Sequence, residues 1–241
     1  MSAPGHTAPI AKRRMAASQA RPGVDLRRVL AAAIDQGPRP LCMPVTLTAA
    51  HEALRAQILS AAPEGLAPEP LWRHCVQTGA ADATGTTVAA AAQALAGPGQ
   101  PLLSEWPFRH DLGVRTEAQP ATVGVPPWHT AVVAEHTLAR DGMETAMENA
   151  LAAGRPAVLV LEVTREFRNA PSNGEVALAP LNTPLGEGHA VLVVGAATHA
   201  TRGRQLLVRN SWGPRWGAGG FGWLPLTWVA AFGFSWASVT P

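Results

Sequence analysis

What most limits the fold of this chain is the order of its textures: segments with helical spacing come first, and Val-rich, strand-like segments follow residue 108. Helices first and strands second, rather than in alternation, point to an α+β arrangement in two lobes and away from a doubly wound sheet. From Cys42 to about Ser60 the apolar residues Met43, Leu47, Ala50, Leu54 and Ile58 recur every three or four positions and predict one buried helical face. Pro44 falls in the first turn of that helix, where its missing N–H costs nothing. The preceding Asp35-Gln36-Gly37-Pro38-Arg39-Pro40 is dense in turn formers. Shorter helices are predicted over residues 71–75 and 87–96, strands over 131–134, 157–163, 190–194 and 206–209, and one further helix near 143–153. The expected organisation is a basic tail over 1–23, a helical lobe over 24–118 and a β-rich lobe over 119–241.

Composition narrows the function classes. With 241 residues, 47% hydrophobic and 15% charged, the chain can bury a sizeable core, while 23 Gly and 22 Pro predict many turns. No apolar run approaches the roughly 20 residues a spanning helix needs, so no membrane partner is expected. The net charge of +2 is uneven: residues 1–23 carry Lys12, Arg13, Arg14 and Arg21 with no acid, and the remainder has 15 bases against 17 acids. A solvated, disordered tail is the reading of that stretch, and with no basic stripe across the folded body, nucleic acid is not an expected partner. Arg13-Arg14 is followed by no apolar segment that an export signal would need, which gives a cytosolic expectation. The two cysteines, Cys42 and Cys75, lack C-x-x-C or H-x-x-H companions and are expected to be free thiols, with no metal and no cofactor.

A cysteine at a helix start meets unpaired N–H groups and the positive end of the macrodipole, which favour its thiolate. On that ground alone Cys42 reads sooner as a small buried hydrophobe, which is what most cysteines are. The second half supplies partners. Gly188-His189-Ala190-Val191-Leu192-Val193-Val194-Gly195 puts a histidine at the head of an apolar strand, and Leu206-Leu207-Val208-Arg209-Asn210-Ser211-Trp212-Gly213 puts an asparagine at the end of the next. A Cys, a His and an orienting Asn, distant in sequence, are the set that thiol nucleophilic catalysis requires.

These segments, with Trp216-Gly217 and Gly219-Gly220-Phe221-Gly222-Trp223, resemble the asparagine and histidine regions of papain-like cysteine peptidases, particularly their compact bacterial members. The likeness extends to Val24-Asp25-Leu26-Arg27, to Gln36 six residues before Cys42, to Glu52 ten residues after it, and to residues 66–71 and 99–108. It implies a two-lobed α+β fold, with a helical N-terminal lobe carrying the nucleophile helix and an antiparallel, β-barrel-like C-terminal lobe. It also implies hydrolysis of peptide or protein substrates, with Cys42 as nucleophile, His189 as acid and base, Asn210 as orienter, Gln36 in the oxyanion hole, Trp212 shielding the His–Asn bond, and Gly85 and Glu187 lining the substrate cleft. The chain departs from the family at Arg39, where a disulfide cysteine is usual, at Met43, where tryptophan is usual, and at Thr84-Gly85, which replaces a glycine pair. Residues 1–23 are too short for an inhibitory pro-segment, so activity is expected to be constitutive or controlled by a regulatory partner protein. A thiol acyltransferase using the same residues, or a noncatalytic peptide-binding module of the same fold, is the alternative. The remaining histidines are expected to be surface or satisfied structural groups, Glu52 an interlobe hydrogen-bond or ion-pair residue, and Trp216, Trp223, Trp228 and Trp236 to pack the β-rich lobe.

Overall fold

The computed structural model describes residues 21–137, 142–180, 182–184 and 186–241, so residues 1–20 of the basic tail lie outside the described residues. In chain order the elements are β1 (Val24–Asp25), α1 (Cys42–Leu59), α2 (Glu69–Gln77), β2 (Ala81–Asp82), β3 (Gly85–Thr86), α3 (Val88–Ala96), β4 (Val132–Thr137), α4 (Met143–Ala152), β5 (Ala157–Glu162), α5 (Arg165–Arg168), β6 (Gly188–His199), β7 (Gly203–Arg209), β8 (Phe221–Pro225), α6 (Leu226–Phe232) and β9 (Gly233–Thr240). The fold is α+β. Seven strands form one antiparallel sheet in the order β4-β9-β5-β6-β7-β8, with β1 paired to the far part of β6. The first strand of the chain thus belongs to the sheet of the second half. Among the described residues no helix is long and apolar enough to cross a membrane.

Alternation along the strands gives the sheet two apolar faces. Val158, Val160, Ala190, Leu192 and Val194 face the first core together with Met43, Leu47, Ala50 and Leu54 of α1. Leu159, Leu161, Val191 and Val193 face the second, against Met143, Met147 and Leu151 of α4 and Trp228, Val229 and Phe232 of α6. Helix α1 is buried almost all round, not along one stripe, because the sheet covers one side and α2 and α3 much of the other. Ile58, expected on its buried face, is instead 58% exposed: the last turn, closed by Ser60 in the left-handed conformation (φ 49°), carries Ile58 and Leu59 past the core. Thr87 caps α3 by accepting from the Ala90 N–H at 3.2 Å, which is why that Ala-rich helix starts where it does. Trp216 and Trp228 are buried, and Trp212 and Trp236 pack beside them against the second core.

Polar groups inside the helical half are paired. His51 Nδ1 lies 3.0 Å from Gln100 Oε1, and the Gln100 amide donates to Thr48 Oγ1 and to the Ala67 carbonyl. Glu52 accepts from the Leu66 N–H at 2.9 Å, and burial raises its carboxyl pKa to about 7. Both residues are structural, as their sequence context suggests.

Candidate active site

Cys42 is the first residue of α1, partly exposed at the bottom of a cleft of about 1130 Å³. Gln36, Gly85, Glu187, His189 and Trp212 line the same cleft, so the structure brings together residues up to 176 positions apart, and Asn210 stands behind His189. Thr46, one turn into α1, donates to the Ala190 carbonyl at 3.0 Å and ties the helix that begins at Cys42 to the strand that carries His189.

His189 Nε2 lies 2.7 Å from Asn210 Oδ1. The same Oδ1 accepts from the Ser211 backbone N–H at 2.8 Å, and an N–H can only donate, so the oxygen of the amide is the atom turned toward the histidine. Nε2 is therefore the protonated nitrogen of the neutral ring, and Nδ1 keeps its lone pair. The imidazole, 5% exposed, packs against the Trp212 ring at 4.6 Å and the Phe167 ring at 6.0 Å. Gln36 is held on the same loop: its N–H donates to the Ser211 carbonyl at 2.8 Å, and its Oε1 accepts from Ser211 Oγ. Gly213 permits that approach, since at φ +73° a Cβ there would stand 2.4 Å from Asp35 Oδ2. The Asn-Ser-Trp-Gly motif thus orients the histidine and also seats the glutamine.

Burial raises the Cys42 thiol pKa and outweighs the hydrogen bonds from the Ala190, Met43 and Cys42 backbone that favour the thiolate. The helix start does not, as its position alone suggests, leave a ready thiolate. Burial also lowers the His189 pKa to about 4, against the Asn210 hydrogen bond and with the Arg168 charge. Burial thus disfavours the charged form of each group: the thiolate of Cys42 and the imidazolium of His189. His51 has the same depressed pKa of about 4 from burial. Below about pH 6.5 the unfolded chain protonates both histidines and the folded chain does not, so their contribution to stability is full above that pH and is lost as pH drops toward 4; Glu52, which takes up its proton first in the folded chain, offsets part of that loss. Urea midpoints at pH 7, 6, 5 and 4 should decline through this window, and His51→Gln should shallow the decline; a flat profile would contradict the buried neutral rings.

One supporting residue carries more than its sequence position suggests. Arg39, 1% exposed, donates from Nη1 and Nη2 to Glu69 at 2.6 and 3.2 Å. It also donates to the carbonyls of Gly113, Arg109 and Arg115 at 3.0, 2.8 and 2.8 Å, which uses all five guanidinium N–H groups. Its guanidinium also lies over the Phe108 ring at 5.4 Å, and its own carbonyl accepts from Gln36 Nε2 at 2.6 Å. Where the resembling family has half of a covalent bridge, this chain has a buried ionic clasp between the nucleophile loop, α2 and residues 109–115. The only sequence signal was an arginine among prolines.

Gly85 adopts φ +122° in the β2–β3 hairpin, where Asp82 Oδ1 accepts from Thr84 N and Oγ1 at 2.7 and 2.6 Å. Glu187 sits at the rim, exposed and 3.6 Å from Arg168. Among the described residues no group of His, Cys, Asp and Glu is arranged to hold a metal ion. Both cysteines are free: Cys42 opens on the cleft, and Cys75 is 0% exposed. Iodoacetamide should therefore modify Cys42 much faster than Cys75 in the native protein, as peptide mass mapping would read. Equal rates would mean that the cleft gives Cys42 no advantage.

Comparison with known proteins agrees with this geometry. The chain is similar in structure to xylellain, a cysteine protease from Xylella fastidiosa, with a TM-score of 0.73 at 21% identity over 91% of this chain and 86% of that one. It is similar also to the bromelain protease of Ananas comosus, with a TM-score of 0.68 at 18% identity over 90% and 98% of the two chains. A 33-residue stretch is 54% identical to the probable cysteine protease RDL3 of Arabidopsis thaliana, spanning 14% of this chain and 9% of that protein's length. The sequence pattern described as papain family cysteine protease matches residues 75–227, a range that contains His189 and Asn210 but begins after Gln36 and Cys42. The fold supplies what that range omits, since it sets both earlier residues in the cleft beside His189. The chain belongs to the papain family of cysteine proteases.

Proposed function

We propose that the protein hydrolyses peptide bonds with Cys42 as nucleophile, His189 as general base and acid, Asn210 as the group that orients the imidazole and Gln36 as an oxyanion donor. The observation that carries this reading is the His189 Nε2 to Asn210 Oδ1 bond of 2.7 Å, which leaves Nδ1 as the acceptor in the cleft that Cys42 opens on. On substrate binding, Nδ1 takes the thiol proton as the sulfur attacks the peptide carbonyl carbon. The S–C bond forms and the carbonyl electron pair moves to oxygen. One Gln36 N–H is taken by the Arg39 carbonyl, and the other, with the Cys42 backbone N–H, receives the oxyanion. Collapse breaks the C–N bond, and the imidazolium returns its proton to the leaving amine. Water then cleaves the thioester by the same route, His189 accepting its proton. Trp212, against the imidazole face, keeps water from the His–Asn bond. The reading places this chemistry in a compartment where thiols stay reduced, in keeping with two unpaired cysteines.

Gln36 and Cys42 alkylation separate the steps. Gln36→Ala should lower turnover of a peptidyl coumarylamide by roughly 100- to 1000-fold, because it removes a donor to charge that develops on the substrate oxygen. Alkylation of Cys42 by iodoacetamide forms no oxyanion and should keep its rate. Loss of alkylation together with turnover would show that Gln36 serves the loop and not the oxyanion. Tight peptide binding by wild-type protein without any turnover would indicate a noncatalytic module.

A further inference from the structure

Beyond the reacting groups, the cleft extends along the sheet. Its floor runs from Ala190 on β6 to Val160 on β5 and Ser235 on β9, which are direct register partners, and the row ends on β4 at Thr137. Two residues along β4, and so on the same face, Glu135 also lines the cleft. Three strand spacings place that end of the pocket about 14 Å from β6. The β5–β9 register shifts between Val160 and Leu161, which leaves Phe234 unpaired and turns its ring to within 3.6 Å of where a Cβ on Gly188 would stand. A bulge thus supplies a side wall, and Phe234 is 42% exposed on the cleft.

Charge along the cleft is mostly spoken for. Arg39 is consumed by Glu69 and three carbonyls and Glu187 faces Arg168, while Asp82 keeps its charge in the β2–β3 hairpin, where it accepts hydrogen bonds from Thr84. The Glu135 side chain is exposed and makes no ion pair or hydrogen bond among the described residues. The pocket therefore has a floor of small side chains and an aromatic side wall that end at the Glu135 carboxylate, which no cation faces among the described residues. A side chain that complements it has an aliphatic stem and a cationic head.

We propose that this pocket takes an arginine or lysine side chain from the acyl part of the substrate, with Glu135 as the specificity-determining carboxylate. The substrate assignment rests on the peptidase reading, whereas the pocket and its charge do not. Measuring affinity on Cys42→Ser protein keeps the two separate. Fluorescein-labelled hexapeptides that differ only in Arg or Leu at one position, scanned along the peptide, would be titrated by anisotropy, with wild-type turnover of the same peptides followed alongside. At one position Arg should bind roughly fivefold tighter than Leu, and adding Glu135→Gln, isosteric and on an exposed strand face, should erase that ratio. No Arg preference at any position, or a preference that survives Glu135→Gln, overturns the assignment whether or not the wild type cleaves. A preserved, Glu135-dependent preference in a protein that cleaves nothing would overturn the peptidase reading and leave the pocket standing.

Discussion

His189→Ala is expected to reduce peptide turnover by about 10⁴-fold and to slow iodoacetamide modification of Cys42 near neutral pH. Burial already raises the thiol pKa, and in the proposed mechanism the imidazole takes its proton, so without it the sulfur should stay protonated. Asn210→Ala should fall between this variant and wild type, because the ring remains but loses the bond that fixes its tautomer. Stopped-flow alkylation across pH distinguishes the roles. In the His189→Ala variant the rate should rise only toward alkaline pH, as a buried thiol titrates alone. A variant that alkylates at the wild-type rate at pH 7 would mean that the helix start activates Cys42 without the histidine, and the base assignment would fail.

The second large effect is on stability. Arg39→Met leaves Glu69 buried without its cation and three carbonyls without a donor, and breaking such a pair costs about 3–5 kcal/mol. For a chain of this length that corresponds to a fall in Tm of roughly 10 °C. The double variant Arg39→Met/Glu69→Leu removes both charges and should recover much of the loss, since two apolar groups carry no unpaired charge. Calorimetry of the four proteins gives the coupling. If Arg39→Met unfolded at the wild-type temperature, the clasp would be an ornament of the loop. The same cycle bears on catalysis, because Gln36 Nε2 donates to the Arg39 carbonyl.

Most of what positions the chemistry was legible in local pattern. Helix α1, the strand headed by His189 and the loop carrying Asn210 each announce themselves within a dozen residues, through periodicity, turn formers and motif. The strand β9 was not expected, because Gly233–Thr240 alternates small and polar residues with single aromatics and shows no Val-rich run. Its burial comes from partners on β4 and β5, more than 70 residues away. Helix α6 is similarly hidden between two strands, with Trp228 buried by tertiary packing. The Arg39 clasp had no readable signature, since three of its acceptors are backbone carbonyls at separations of 70 to 76 residues, and a carbonyl carries no residue identity. The raised thiol pKa was misjudged from helix position for a related reason: the macrodipole is local, whereas desolvation depends on the whole fold.

The sharing of one apolar core by α1 and the sheet has a mechanical consequence. Cys42 and His189 come from opposite halves of the chain, yet Met43 and Leu47 pack with Val160, Ala190 and Leu192, and Thr46 holds the Ala190 carbonyl at 3.0 Å. Among the described residues this shared core leaves no hinge between Cys42 and His189. To pull them apart the molecule would have to slide a helix off its sheet and open the core, an event closer to unfolding than to breathing. The spacing of Cys42 and His189 is therefore tied to the packing of the interior itself.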